Sequence, residues 1–424
     1  MINESKTTID YTEEYPLFTS EMRKDYTILV PDMLPWHFEI FLHIMRREGY
    51  KTELLHNSGR AVIDEGLKHV HNDTCFPALC VIGQYLDALK SGKYDVDRTA
   101  VLITQTGGGC RASNYLPLIR RALKAEFPNV PVLSLNFAGL EKGNSLQLGL
   151  KLLAKFGYAM FYGDLLMYCF NQTKPYEKTA GETDSVREHC IGFIKQMFDE
   201  GKQKKLTYCA KTILNAFTGV SVSKEEKVKV GIVGEIYVKY SPLGNSHLEE
   251  FLLSEQCEPV VPALADFIFY CLTNSLNDVK RYGINSKSRL LFSFGYRWLY
   301  KKQKKLIALM KKQGRFEPFH DFEHLKQCAD RVIDQGVKMG EGWLIPAEMV
   351  ALAESGTQNI VCAQPFGCLP NHIAGKGAAR NVKELCPEAN IVAVDYDPSA
   401  TRVNQENRIK LMLSTAREKL KGKK

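Results

Sequence analysis

The first third of the chain alternates between short apolar runs and longer amphipathic segments. Residues 25–33, "DYTILVPDM", predict a buried strand, and residues 35–49, "PWHFEIFLHIMRREG", place apolar side chains at helical spacing. Three further strands are predicted at 50–56, "YKTELLH", at 98–106, "RTAVLITQT", and at 130–136, "VPVLSLN". Strands that alternate with helices join through right-handed crossovers into a parallel sheet, so the pattern predicts an open α/β domain.

The same alternation returns in the second half of the chain. The segment "KVKVGIVGEIYVKYSP" at 227–242 begins a second α/β unit, and "NIVCAQP" at 359–365 and "ANIVAVDYDP" at 389–398 predict strands of a C-terminal unit. Between the two halves the strand pattern is absent, which predicts a helical insert. The predicted units are an N-terminal extension at 1–24, a first α/β domain at 25–145, a helical region at 146–226, a second α/β unit with helices at 227–330 and a C-terminal α/β unit at 331–424.

Positive charge is concentrated in two segments. The 424-residue chain has a formal net charge of +8, and seven basic residues lie within 301–315 and five within the tail 417–424. We interpret 301–315 as a solvated helix face, with docking to an acidic partner or a phosphate-bearing ligand as the alternative. Since no nucleic-acid-binding motif accompanies this charge, nucleic acid is not expected as a partner.

Neither a membrane nor a secretory route is indicated by the sequence. No apolar run approaches the roughly 18 residues of a membrane span, and "MINESKTTIDYTEEYP" at the N-terminus lacks a signal-peptide pattern. The twelve cysteines are scattered and do not resemble a compact disulfide framework. We therefore expect a cytoplasmic protein with reduced thiols and no membrane contact.

Three cysteines stand at corners where a helix is predicted to begin. They are Cys75 in "HNDTCFPA", Cys110 in "TQTGGGCRASNY" and Cys368 in "QPFGCLPNH". The glycines before two of them are candidate backbone donors to a bound group, namely Gly107, Gly108, Gly109 and Gly367. In an open parallel sheet, ligands bind beyond the carboxyl ends of the strands, where helix N-termini lower thiol pKa values. These cysteines are therefore predicted to be ligands.

An iron–sulfur cluster suits such thiols better than a zinc ion does. Zinc sites commonly use paired C-x2-C motifs, and the chain contains none. A cluster is negatively charged and its sulfides accept hydrogen bonds, which matches helix N-termini and glycine N–H groups. Cys271 is a further candidate ligand, with a place in the core as the equal alternative, whereas Cys362 fits the core better.

Three polar side chains in the neighbouring segments are candidate catalytic residues, namely Glu235 in "VGEIYVKY", Glu341 in "GEGW" and His372 in "LPNH". Glu235, expected at the end of a strand, could act as an acid or a hydrogen-bond acceptor, with helix capping or a salt bridge as the alternative. Glu341 could line the site or belong to a tight turn. His372 could donate to a cluster sulfur, contact substrate or cap a helix.

Five segments together resemble the 2-hydroxyacyl-CoA dehydratase superfamily, in particular its branch of acyl-CoA dehydratase activase-related and double-cubane cluster proteins. The resemblance extends, in order, through nearly all of the chain that follows residue 25. The segments are "HNDTCFPA", "LITQTGGGCRASNY", "VGEIYVKYSPLGN", "GEGWLIPAEM" and "QPFGCLPNHIAGKG" with the sequence that follows it.

The resemblance implies flavodoxin-like (Rossmann-like) parallel-sheet domains with an iron–sulfur cluster between them, either a 4Fe-4S or a double-cubane 8Fe-9S centre. It assigns the ligand role to Cys75, Cys110 and Cys368, with Cys271 and Cys362 as further candidates. In this superfamily a separate ATPase with its own cluster delivers an electron of very low potential. ATP is therefore expected only on that partner activase, and "AGKGAA" in this chain does not match a phosphate-loop motif.

The implied function is an oxygen-sensitive oxidoreductase or dehydratase component that reduces a small molecule or an acyl-CoA substrate, as a homo- or heterodimer. A non-catalytic cluster carrier or CoA-ester binding module is one alternative. A metal-free thiol enzyme is another, with Cys110 as the nucleophile, glycine N–H groups as oxyanion donors and His372 as the base.

Overall fold

The computed structural model describes residues 15–71, 73–105, 109–136, 149–284 and 286–422. Within this part of the chain, helices surround two four-stranded sheets in which every strand is parallel to its neighbours. The predicted α/β class with flavodoxin-like parallel-sheet domains is confirmed.

Four strands of the predicted first domain form one sheet. They are β1 (Thr27–Val30), β2 (Lys51–Leu54), β3 (Thr99–Gln105) and β4 (Val132–Asn136). Their order is β2-β1-β3-β4, so β1 and β3 are the central strands, and Leu29 pairs with Val101. Ile28, Leu29 and Val101 have no exposed surface, as expected for a parallel sheet that helices cover on both faces.

The second sheet repeats this arrangement. Its strands are β5 (Lys229–Gly234), β6 (Glu258–Val260), β7 (Asn359–Pro365) and β8 (Asn390–Tyr396). Their order is β6-β5-β7-β8, with Ile232 of β5 paired to Val361 of β7. The pairing crosses the predicted boundary at residue 330, so the two C-terminal units share one sheet.

Helices connect and cover the strands. They are α1 (Met22–Asp25), α2 (Pro35–Arg47), α3 (Arg60–Leu67), α4 (Phe76–Lys90), α5 (Tyr115–Glu126), α6 (Leu150–Asn171), α7 (Glu182–Asp199), α8 (Leu206–Thr218), α9 (Ile236–Tyr240), α10 (Leu248–Ser254), α11 (Leu264–Tyr282), α12 (Arg289–Gln313), α13 (Phe322–Asp330), α14 (Leu344–Glu354), α15 (Ala379–Leu385) and α16 (Arg402–Gly422). The predicted helical region contains α6 to α8, and α11 to α13 lie between β6 and β7. None of these helices combines the length and the apolar character that crossing a membrane demands.

Glu235 follows strand β5 instead of ending it, which corrects the sequence expectation. The strand stops at Gly234, and Glu235 is the N-cap of α9. Gly234 has φ +139°, and a Cβ there would lie 1.8 Å from the carbonyl oxygen of Ala363 on β7. The glycine therefore lets the chain leave the sheet close to β7. The β-branched and aromatic residues that follow Glu235 favour a strand, so the sequence alone predicted that the strand reaches Glu235.

A buried carboxylate joins three helices in the middle of the protein. The Oδ1 atom of Asp164 on α6 lies 2.9 Å from Nε2 of His37 on α2. The same oxygen accepts a hydrogen bond from the N–H of Leu264 at 2.8 Å, and Oδ2 accepts one from the N–H of Ala265 at 3.1 Å. Asp164 therefore satisfies the N-terminal donors of α11 and connects that helix to α2 of the first domain.

Helices α3 and α4 approach closely because each has a glycine at their contact. A Cβ on Gly83 of α4 would lie 2.0 Å from the carbonyl oxygen of Val62, and one on Gly66 of α3 would lie 2.2 Å from that of Leu79. Since backbone atoms cannot move aside as a side chain can, both positions require glycine. The contact also fixes α4, whose N-cap is Cys75.

Replacing Gly83 by alanine should destabilise the protein by about 1–3 kcal/mol, because the added methyl group overlaps the backbone of α3. Gly192 of α7 is the matched control, since a Cβ there meets no atom within 4 Å. Alanine at this exposed helical position should stabilise the protein by up to about 1 kcal/mol. Urea unfolding measures both free energies, and equal stability of the two variants would contradict the close contact.

Candidate functional site

Two of the predicted ligand cysteines lie at the carboxyl edge of the first sheet. Cys110 follows β3 and precedes a short 3-10 helix, Arg111–Asn114, that leads into α5. Cys75 is the N-cap of α4, the helix that precedes β3 in the chain. The Sγ atom of Cys75 lies 3.1 Å from the hydroxyl oxygen of Tyr115, the first residue of α5. The two corners are therefore adjacent.

The third cysteine has the corresponding place in the second sheet. Cys368 follows β7, and its backbone N–H donates to the carbonyl oxygen of Pro365 at 3.2 Å. Gly367 has φ +68°, a conformation that glycine adopts without strain, and so permits this tight turn. The Nδ2 group of Asn371 donates to Sγ of Cys368 at 3.4 Å.

The two sheets present their site residues at equivalent positions. Because the strand orders are the same, β3 corresponds to β7, and the preceding helices α4 and α14 also correspond. Cys110 and Cys368 therefore follow equivalent strands. Cys75 and Glu341 precede equivalent helices. The site thus combines matching corners from two similar units.

The corners of both sheets converge on Glu235. Burial, with a contribution from the negative charge of Glu235, raises the pKa of Cys75 and of Cys368 to about 12. The pKa of Cys110 is raised by burial and by the charges of Glu341 and Glu235. One carboxyl group at the end of β5 therefore lies near all three thiols, which come from three separate segments of the chain.

Gly109 lies where the two units meet. A Cβ at this position would lie 2.2 Å from the Sδ atom of Met339, which belongs to the loop before α14. The glycine directly before Cys110 therefore permits close approach between the corner and that loop. Gly107 and Gly108, the other two candidate donors of the run, lie outside the described residues.

Glu235 and Glu341 form a carboxyl pair beside the thiols. The Oε2 atom of Glu235 accepts a hydrogen bond from the N–H of Val238 at 2.8 Å, and Oε1 of Glu341 accepts one from the N–H of Ile236 at 3.0 Å. Burial, and then the charge of Glu341, raises the pKa of Glu235 well above its usual range. Burial also raises the pKa of Glu341. The two carboxyls therefore lose their protons at higher pH than exposed glutamates do.

A tyrosine of α11 holds the loop that carries Glu341 in place. The hydroxyl oxygen of Tyr270 lies 2.9 Å from the carbonyl oxygens of both Lys338 and Gly340. Gly342 has φ +41°, and a Cβ there would lie 2.1 Å from a backbone carbonyl oxygen. The "GEGW" segment is thus a tight turn that requires glycine and that also presents Glu341 to the site.

Cys271 and Cys362 differ in their burial. Cys271 is half-buried and packs against the core, and its neighbour Tyr270 contacts the loop that carries Glu341. Cys362 on β7 is 1% exposed, and its Sγ atom would lie 3.1 Å from a Cβ on Gly375. The structure therefore places Cys362 in the core and Cys271 between the core and that loop.

The imidazole of His372 lies beside Gln364 of β7. Its Nδ1 atom lies 3.5 Å from Nε2 of Gln364, and Gln364 donates to Oδ1 of Asp395 at 2.6 Å. The backbone N–H of His372 donates to the carbonyl oxygen of Cys368 at 3.0 Å. Within the described part of the chain, the hydrogen-bond partner of this ring is therefore an amide and not a thiol.

The thiol pKa values are raised, whereas helix N-termini alone predict lower values. Removal from water is the largest cause at Cys75, Cys110 and Cys368, and nearby carboxyl charge acts in the same direction. Both effects outweigh the favourable helix dipole. The thiols therefore lose their protons at higher pH than exposed cysteines do.

The thiols of Cys75, Cys110 and Cys368 are not arranged as the ligands of one zinc ion. Around one zinc ion with Zn–S bonds of about 2.3 Å, the sulfur atoms lie about 3.8 Å apart. Among the described residues, the groups of His, Cys and acidic side chains whose ligand atoms all lie within 4.8 Å of one another are found elsewhere in the protein. The three thiols are therefore spaced more widely than the ligands of a single ion.

Sequence reasoning missed the residues that contact two of the sulfur atoms. Tyr115 and Asn371 contact Cys75 and Cys368, respectively. Each lies within five residues of a predicted ligand: Tyr115, after Cys110, begins α5, and Asn371, after Cys368, begins a short π-helix, Asn371–Lys376. The available signal was therefore a polar side chain in the first helical turn after each corner.

No protein-family model matches the chain, and no curated protein matches it. The resemblance to the 2-hydroxyacyl-CoA dehydratase superfamily stays a prediction. We infer the function from the residues and geometry of the site.

The free energy of unfolding of the cofactor-free chain should fall as pH rises. Folding raises the pKa of Glu235 and Glu341 above the ordinary value of 4.5. Their contribution is therefore complete below that value and is lost as pH rises through the raised pKa. We expect Glu235→Gln to reduce the loss of stability between about pH 5 and about pH 8 by at least about 1.4 kcal/mol, the equivalent of one pKa unit.

Urea unfolding at the two pH values measures this effect. Glu188→Gln is the control because the Glu188 side chain on α7 is 75% exposed, and this variant should follow the wild type. If stability declines as steeply in Glu235→Gln as in the wild type, Glu235 does not hold a proton more tightly in the folded state.

Proposed function

We propose that the protein holds an iron–sulfur cluster between its two sheets and acts as an oxidoreductase or dehydratase component. The observation that carries this proposal is the convergence of the corners that hold Cys75, Cys110 and Cys368. Sγ of Cys75 lies 3.1 Å from the hydroxyl oxygen of Tyr115 in the corner of Cys110. Gly109, beside Cys110, and Pro370, near Cys368, both lie against the loop before α14, at Met339 and Gly340. Cysteines that only fill the core need no common centre. Thiols from three separate segments that share one centre are typical of ligands to one bound group.

The residues present suit such a group. Cys75, Cys110 and Cys368 would hold it, and Cys271 is the candidate for a further ligand because its neighbour Tyr270 contacts the loop that carries Glu341. Cys75 is the N-cap of α4, so the positive end of that helix dipole faces the thiol. Burial raises the pKa of both carboxyls, so the pair carries less negative charge than two exposed glutamates would. When bound, an iron–sulfur cluster supplies one-electron transfer at low potential.

The carboxyl pair gives the site a means of proton transfer. The protonated Glu235 can donate to a substrate that enters between the sheets. Glu341, whose charge influences the pKa of Glu235, is placed to resupply that proton. Reduction of a small unsaturated molecule or of an acyl-CoA consumes protons together with electrons, so this arrangement fits a reductase or dehydratase component.

The electrons must come from another protein. The sequence has no phosphate-loop motif, and we propose a separate ATP-dependent iron–sulfur activase as the donor, with the chain in a homo- or heterodimer. Phe366 and Leu369, on either side of Cys368, are 59% and 67% exposed. Exposed apolar side chains next to the site suit contact with a protein donor.

The two alternatives receive less support. A cluster carrier would need the thiols but has no use for the buried carboxyl pair. A thiol enzyme needs a reactive Cys110 and a base, yet the pKa of Cys110 is raised by burial and the imidazole of His372 faces Gln364. We therefore favour reduction of a substrate over both.

We expect a serine substitution at any one of Cys75, Cys110 and Cys368 to reduce bound iron and acid-labile sulfide to less than about half of the wild-type content. Each substitution removes one thiolate ligand. Cys209→Ser is the matched control, since Cys209 is fully buried in α8 and should not affect iron content. Iron and sulfide assays after anaerobic reconstitution measure the effect. Three folded variants with full iron content would overturn the ligand assignment.

Glu235→Gln should leave the iron content unchanged but lower the rate of substrate reduction by about 10²–10⁴-fold, because the proton donor is lost. Acetylene is a suitable probe, since its conversion to ethylene takes two electrons and two protons, and a chemical reductant of low potential can replace the activase. Glu188→Gln is again the control. An unchanged rate in Glu235→Gln would exclude this residue as the proton donor.

A further inference from the structure

We propose that His324, Cys328 and Glu354 form a second metal site, which binds one Zn²⁺ or a divalent ion of similar chemistry. His324 and Cys328 lie one turn apart on α13, so both side chains are on the same face of the helix. Glu354 is the last residue of α14. This site is separate from the thiols between the sheets and does not depend on the proposed cluster.

The distances between the three donor atoms already fit one ion. Nε2 of His324 lies 3.5 Å from Sγ of Cys328 and 3.5 Å from Oε2 of Glu354. The Sγ and Oε2 atoms are 3.9 Å apart. With metal bonds of about 2.0–2.3 Å, the ligands of a tetrahedral zinc site lie about 3.3–3.8 Å from one another. Little movement is therefore needed for all three to bind the same ion.

The carboxylate is oriented as a metal ligand would be. Nη1 of Arg331 lies 2.5 Å from Oε1 of Glu354, which leaves Oε2 directed at His324 and Cys328. Partners of this kind commonly fix the ligands of metal sites. The side chains of His324 and Glu354 are 43% and 32% exposed, whereas Cys328 is fully buried. An ion can therefore enter from solvent and reach the thiol.

Three protein ligands leave one tetrahedral position, for which a water molecule is the candidate. On binding, the metal ion would displace the thiol proton of Cys328.

A second group of potential ligands is less suited to a metal ion. Glu65, His69 and Glu126 also lie within 4.8 Å of one another. However, Nζ of Lys90 lies 2.5 Å from carboxylate oxygens of both Glu65 and Glu126. A lysine ammonium therefore already supplies the positive charge there, whereas the group at His324 has no cation between its donor atoms in the described residues.

A bound ion would stabilise the side of the second sheet that supports the cluster site. It would connect α13 to the end of α14, and α14 begins immediately after the loop that carries Glu341. We therefore assign the site a structural role, with the ion closing the contact between the two helices.

Cobalt titration of the reduced, chelator-treated full-length chain tests the proposal. We expect the intense visible bands of tetrahedral Co²⁺ together with a thiolate-to-cobalt charge-transfer band, and competition by Zn²⁺. Cys328→Ser should lose this thiolate band. A chain in which Cys75, Cys110 and Cys368 are all serine should keep it, which separates the two thiol groups.

His324→Ala and Glu354→Gln change partly exposed side chains, so they test the site even if Cys328→Ser does not fold. Each should weaken Co²⁺ binding at least tenfold, and Arg331→Ala should weaken it by about 10–100-fold through loss of orientation of Glu354. Cys190→Ser, at a buried cysteine of α7, should bind as the wild type does. Wild-type affinity in both His324→Ala and Glu354→Gln, or no tetrahedral bands in the wild type, would overturn the proposal.

Discussion

Both sheets are wholly parallel, and this constraint determines where the protein can carry out chemistry. All strands of a parallel sheet end at the same edge, so the segments after β3, β5 and β7 bring their side chains to one side of each sheet. The two edges also approach each other, since a Cβ on Gly109, after β3, would lie 2.2 Å from the Sδ atom of Met339 in the loop before α14. The candidate site lies where these edges meet.

The close approach of these acidic groups also opposes their ionisation. The carboxyl pair and the thiols are withdrawn from water together, so each group shifts its neighbours towards the protonated state. Glu235 compensates by accepting the N–H of Val238, and Glu341 by accepting that of Ile236. The carboxyls and thiols therefore titrate at higher pH than their exposed counterparts do, and the carboxyls contribute most to the stability of the folded chain at low pH.

The alternation of apolar runs was sufficient to predict the strands, since each buried strand is a short segment with its own local pattern. The corner positions of Cys110 and Cys368 were also predictable, because strand and helix signals flank them directly. The pairing of β5 with β7 could not be predicted, because a long helical stretch separates the two strands in the chain. Nor could sequence predict that His372 turns to Gln364, since side-chain direction depends on tertiary contacts. The raised thiol pKa values escaped prediction for a similar reason: local helix dipoles are visible in a sequence, but burial is not.

The central claim is that the thiols between the sheets hold an iron–sulfur cluster. The most direct test is the iron and acid-labile sulfide content of the wild-type chain after anaerobic purification, together with its EPR spectrum on reduction. The account predicts about four irons per chain for a cubane or about eight for a double cubane, with matching sulfide and a paramagnetic reduced state. A folded chain that binds neither iron nor sulfide after anaerobic reconstitution would contradict it.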